Sequence, residues 1–233
     1  MHPTESQREC AGGYVPPGLS RQPDGFRGIV LPNPVKKGDT VLNVPRKCAF
    51  LTSDAAQLLR DEGYDNLASR RHAQVLVLGA MVARQQKAHF LAPYFDTWPV
   101  DTSNFPTNWP ADEVKRLPEA YRNRVETYKK HNRDEWRAVG AAAPDFVKRY
   151  SYAFFVETEA LVSSRYFGVD WRGHGHEGAL IPVGDAPNHA SRNEGLVCGG
   201  VGTLWRVDGV GGITTRFAGH RERHVSRHTG LFV

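Results

Sequence analysis

A chain of 233 residues, 40% hydrophobic and 24% charged, has the make-up of a folded protein with a real core. No run of about 18 apolar residues occurs, which excludes a membrane-spanning helix. The net charge of +5 is moderate, and no helix-turn-helix, zinc-finger or RNA-binding aromatic motif accompanies it, so nucleic acid is disfavoured as a partner.

The chain opens on "MHPTESQREC", which has no apolar segment and carries two glutamates, so no secretory signal is expected. Cys10, Cys48 and Cys198 are odd in number and far apart, which predicts no disulfide framework and a reducing compartment, cytoplasm or nucleus. Residues 12–50 read as strand and turn. "RGIVL" (27–31) and "TVLNV" (40–44) are short strands, parted by the Pro- and Gly-punctuated "PNPVKKGD".

The middle reads as helical. Thr52 or Ser53 is expected to cap a helix over "DAAQLLRDE". "LASRRHAQVLVLGAMVARQQ" (67–86) is apolar enough for a largely buried helix. "PYFDTWPVDTSNFPTNWP" (93–110) breaks helical periodicity and reads as a loop packed by its rings. In "YRNRVETYKKHNRDEW", Tyr121, Val125, Tyr128 and Trp136 form the expected inward stripe. Pro144 and Asp145 open a further helix with Phe146, Tyr150, Phe154 and Leu161 on one face.

Strand and turn return at "ALIPVGDAPNHA" (179–190). Beyond it, 191–233 is rich in Gly and Arg with scattered apolar residues, and is expected to be poorly packed. His220, His224 and His228 recur every four residues, but "HRERH" is not HExxH and supplies no convincing fourth ligand, so no metal is expected. "GGVGTLW" (199–205) lacks the Lys-Ser/Thr of a phosphate loop, and no serine sits in a G-x-S-x-G turn.

What remains is a pattern spread along the chain. "GFRGIVLPNPVKKGDTVLNVP", "FLAPYFDTWP" (90–99), Ser164-Arg165-Tyr166-Phe167 and "PVGDAPNH" (182–189) follow one another in that order. The set resembles SET-domain protein-lysine methyltransferases, in the branch that includes the Rubisco large-subunit methyltransferase. That family carries a "GxRG" turn, a "W-x-P-Y-(L/F)-x-x-(L/x)-P" element, an "SR-x-F" element and "P-x-x-D-x-x-N-H".

The resemblance implies an α+β, SET-type fold of small twisted β-sheets over 12–190, with a mostly helical insertion at about 52–163. It implies S-adenosyl-L-methionine as cofactor and a protein substrate, histone or non-histone, that presents a lysine. Gly25, Phe26, Arg27 and Gly28 would lie along the methionine and ribose end. Ser164 belongs to the same set, and Arg165 would meet the cofactor carboxylate. Asn188 would bond the amino group, the backbone around His189 would hold the adenine, and Asp185 would orient the turn.

The chain departs from the family after His189. There the family continues to a tyrosine in a "Y-G" motif and then to a helical substrate-binding domain, whereas residues 190–233 contain no tyrosine. The catalytic residue is therefore unassigned. The expectation is a C-terminally incomplete, monomeric methyltransferase with weak or no activity, the alternative being a non-catalytic SET-derived module that binds a protein.

Overall fold

The computed structural model describes residues 40–170 and 176–185 and the strands at 19–21, 27–29, 202–207 and 212–218, with side chains at 44–169 and 177–185. The chain divides into two compact units, one made of residues 1–50 and 166–233 and the other of 51–165.

The first unit is built from small antiparallel sheets. Strand β1 (Leu19–Arg21) pairs with β2 (Arg27–Ile29), with Arg21 opposite Arg27 and Ser20 opposite Gly28. Strand β3 (Thr40–Pro45) leads through a 3₁₀ turn at Arg46–Cys48 into β4 (Phe50–Leu51). Strands β5 (Tyr166–Asp170) and β6 (His176–Leu180) pair antiparallel, Gly168 facing Gly178, and the sheet order is β4-β6-β5.

Two strands come from the Gly- and Arg-rich segment expected to pack poorly. They are β7 (Gly202–Val207) and β8 (Gly212–Ala218), joined antiparallel with Trp205 opposite Thr215. Strand β8 also pairs with β3, from Thr40 opposite Arg216 to Pro45 opposite Gly212, with a register shift between Thr40 and Leu42. The β-branched and aromatic run "ITTRF" suits a strand, and a glycine-rich turn chemistry precedes it. The scattered apolar residues concealed this, because the alternation is short.

The fully buried Cys48 is disulfide-bonded. That removes the cysteine argument for a reducing compartment, since such bonds persist where the surroundings are oxidising.

The second unit is helical. Helix α1 (Thr52–Asp61) starts differently from expectation, with Leu51 at the cap position. Its N–H donates to Asp54 Oδ2 at 2.9 Å, while Thr52 Oγ1 turns away to donate to the carbonyl of His72 at 3.5 Å. A carboxylate in the first turn satisfies an end N–H and also sits well in the helix dipole. The short α2 (Asp65–Ala68) separates α1 from α3 (His72–Gln85), which is buried continuously from Val75 to Ala83 as its composition predicts.

Gly79 of α3 permits a close crossing with α1. A Cβ there would stand 2.5 Å from the Cβ of Ala55 and 2.8 Å from its Cα.

The aromatic segment after α3 is partly regular: α4 (Ala92–Phe95) and a 3₁₀ turn at Pro106–Asn108 lie within it. Each has a proline in its first turn, where no N–H is needed. Helix α5 (Ala111–Val114) precedes the long α6 (Glu119–Ala142). The buried residues of α6 are Val125, Asn132 and Val139, seven apart, whereas Tyr121 and Tyr128 are exposed. Tyrosines tolerate a solvated face, so their spacing misled the sequence reading.

The expected last helix is two. Helix α7 (Pro144–Arg149) stops at Tyr150, which is extended, and α8 (Tyr152–Ser163) begins anew behind Ser151. Tyr150 packs 4.5 Å from Phe146, whose ring meets Tyr64 edge-on at 5.0 Å. No described helix is long and apolar enough to cross a membrane.

Candidate functional site

The Ser164-Arg165 element is formed by the way α8 ends. Ser151 caps its start, its Oγ accepting from the N–H of Phe154 at 3.1 Å. Phe155, Thr158, Leu161 and Val162 are buried and fix the helix in the unit. At the other end Ser164 Oγ donates to the carbonyl of Leu161 at 2.9 Å, and the Arg165 N–H donates to Val162 O at 3.0 Å. The last carbonyls are thereby satisfied, and a cation leaves the negative end of the helix, where the dipole favours it.

Arg165 projects over the indole of Trp98, its guanidinium carbon 5.8 Å from the ring centroid. Trp98 is 4% exposed and is held edge-on by Tyr94 at 5.5 Å and by Phe95 at 4.9 Å. A second guanidinium, that of Arg84 in the last turn of α3, lies 5.4 Å from the same centroid and 4.8 Å from that of Phe154. Arg84 donates to Glu157 Oε1 at 2.6 Å and to Thr158 Oγ1 at 2.7 Å, both on α8. Neither Arg84 nor Trp98 is singled out by the sequence: the indole in "FLAPYFDTWP" looks like one more packing ring, and Arg84 and Glu157 are too far apart in the chain for a local pattern to join them.

In the other unit, Asp185 follows a tight turn closed by its own N–H donating to Ile181 O at 3.2 Å. Within that turn Val183 has φ of 68°, a left-handed backbone at a β-branched residue. Conformations of this kind persist only where the surroundings enforce them. Ile181 is fully buried just before it. Arg27 and Gly28 lie in strand β2, paired to β1, at the start of the "RGIVL" run expected to be a strand. Gly25, Phe26, Asn188 and His189 lie outside the described residues, as do His220, His224 and His228. Among the described residues no cluster of His, Cys, Asp or Glu could hold a metal ion.

Tyr166 is the last tyrosine of the chain. It is 39% exposed, and burial pushes its phenol above the ordinary value.

The element order and the small antiparallel sheets define the SET-domain fold. The chain is similar to the SET domain of LSMT bound to lysine and AdoHcy, with a TM-score of 0.71 and 16% identity, over 92% of this chain and 50% of that one. It is likewise similar to Rubisco LSMT bound to AdoMet, with a TM-score of 0.68 and 17% identity, over 90% of this chain and 47% of that one. A third such structure, Rubisco LSMT bound to sinefungin and monomethyllysine, gives a TM-score of 0.64 at 16% identity, over 87% and 46%. This chain thus spans about half the length of these proteins. No family model and no curated protein matches the sequence.

Proposed function

We propose that the chain is an S-adenosylmethionine-dependent protein-lysine methyltransferase of the SET type, with weak or no activity of its own. The observation that carries this reading is the fold, shared over 92% of the chain with a SET domain that binds lysine and AdoHcy. The donor set supports it. Arg165 offers a planar fork of N–H groups, matched to a carboxylate, at a fixed helix end. In this reading Arg165 receives the cofactor carboxylate, beside Ser164. Gly25, Phe26, Arg27 and Gly28 line its methionine and ribose end, Asn188 takes the amino group, the backbone of His189 takes the adenine, and Asp185 orients the turn.

The cofactor supplies an electrophilic methyl group. The protein's task is to present a neutral lysine amine in line with it, which is positioning rather than acid–base work. Free lysine has a pKa of about 10.4, and a dry channel favours the neutral form. Residues 190–233 offer no tyrosine to line such a channel, which supports weak activity in this reading.

Calorimetric titration with S-adenosylhomocysteine tests the reading. We expect saturable heat from the wild type and a marked loss in Asn188→Ala, and a folded wild type giving no heat overturns it. The absence of a tyrosine from residues 190–233 favours a second reading, a SET-derived module that binds a protein without methylating it. Robust labelling of lysate proteins with radiolabelled cofactor excludes that one.

A further inference from the structure

We propose that Trp98 is the positioning residue for Arg165, a rigid platform that presents the guanidinium to the cofactor carboxylate. The proposal rests on the cofactor reading above. Arginine has a long stem with many rotamers, so a site that needs its fork in one orientation must hold it. Stacking does so economically, because it uses the guanidinium face and leaves the N–H edges for hydrogen bonds.

The platform itself is immobile. Tyr94 and Phe95 meet its ring at 83° and 88°, and the backbone N–H of Trp98 donates to the carbonyl of Phe95 at 3.0 Å. Arg84, on the same ring, is tied to Glu157 and Thr158. Two cations on one indole repel each other. Glu157 neutralises Arg84, which lowers the repulsion that Arg165 meets over the same ring.

A further observation distinguishes a platform from filling. The indole Nε1 of Trp98 is buried with no hydrogen-bond partner among the described residues. An orphaned donor is unfavourable, and a phenylalanine or leucine would pack here without one. What an indole offers in exchange is the strongest face for a cation among the side chains.

The test measures binding of S-adenosylhomocysteine and of its decarboxylated analogue, which lacks only the carboxylate, to wild type, Trp98→Phe and Trp98→Leu. Trp98→Leu is expected to weaken S-adenosylhomocysteine about tenfold and Trp98→Phe about threefold, with the analogue unchanged in both. Independently of any ligand, the Arg165 Nε–H resonance should carry a ring-current shift in the wild type that is lost in Trp98→Leu. An equal loss for both ligands, or no loss for either, overturns the proposal, as does the absence of the shift. A folded wild type that binds neither ligand overturns the cofactor reading along with it. If Trp98→Leu fails to fold, the threefold effect in Trp98→Phe and its ligand selectivity decide.

Discussion

The ring of Tyr166 lies over Gly178 so closely that a Cβ on the glycine would stand 2.4 Å from Cε2 and 2.9 Å from both Cζ and the phenol oxygen. The two residues are diagonal neighbours across β5 and β6, since Tyr166 faces Leu180 and Gly168 faces Gly178. A glycine on one strand gives the aromatic ring of the next a flat seat.

Gly178→Ala is therefore expected to push the ring outward rather than break the hairpin, because the ring's far end is partly solvated. The loss of half a tyrosine's burial outweighs the better strand propensity of alanine, for a net destabilisation of about 0.5–1 kcal/mol. Burial alone raises the Tyr166 phenol, so its titration should fall back toward the ordinary value. Carbon-13-labelled tyrosine followed by NMR reads this directly, and an unmoved Tyr166 resonance would contradict it.

Gly79→Ala pits two effects against each other. Alanine favours the helix by about 1 kcal/mol. The new methyl, however, meets Ala55 Cβ at 2.5 Å and its backbone Cα at 2.8 Å, atoms that cannot swing aside. Overpacking of this sort costs about 1–3 kcal/mol. The sum should be destabilising by up to about 2 kcal/mol, and restored in part by Ala55→Gly on the facing helix. Urea unfolding of the single and double variants checks it, and a more stable Gly79→Ala chain would refute the close crossing.

His89 should make stability depend on mild acid. Burial lowers its pKa below 6.5, against a smaller opposing pull from Asp54. Its Nδ1 also accepts from the N–H of Leu91 at 3.2 Å, a bond that protonation at that nitrogen removes. The folded state thus binds fewer protons than the unfolded state below the ordinary histidine value. Stability should be intact above pH 6.5 and fall as the pH drops through it toward the lowered folded value. His89→Gln should flatten that slope in thermal melts between pH 7 and 5, and an unchanged slope counts against the assignment.

Val183→Gly is expected to stabilise the turn before Asp185. A β-branched residue at φ 68° forgoes about 1–2 kcal/mol, of which glycine recovers part after its own entropy is charged. A rise in melting temperature of a few degrees is the expected outcome. A fall would mean that the valine side chain contributes more through packing than its backbone loses.

The fold class was legible in the sequence, and so were the individual elements that announce themselves locally. Strands Arg27–Ile29 and Thr40–Pro45 and helix His72–Gln85 follow from short alternations, turn residues and a dense apolar run. The ordered set of motifs pointed to the SET-type arrangement even though no single motif is specific. What escaped notice depends on partners distant in the chain. The burial of Asn132 in α6, the break at Tyr150 between α7 and α8, and the pairing of Arg84 with Glu157 are set by packing that no local window contains. The same holds for the site, where Ser164 and Arg165 could be named from a motif but the indole beneath the guanidinium could not.

The pairing of β3 with β8 also bears on how the molecule is made. Thr40 must wait for Arg216, so the residues between them are all synthesised before that ladder can close. The helical unit in between, residues 51–165, has all of its residues made before β8 emerges, so it can fold first. During that interval β3 remains an early-made edge without its mate, which makes it the strand most open to capture by a chaperone or by a second nascent chain.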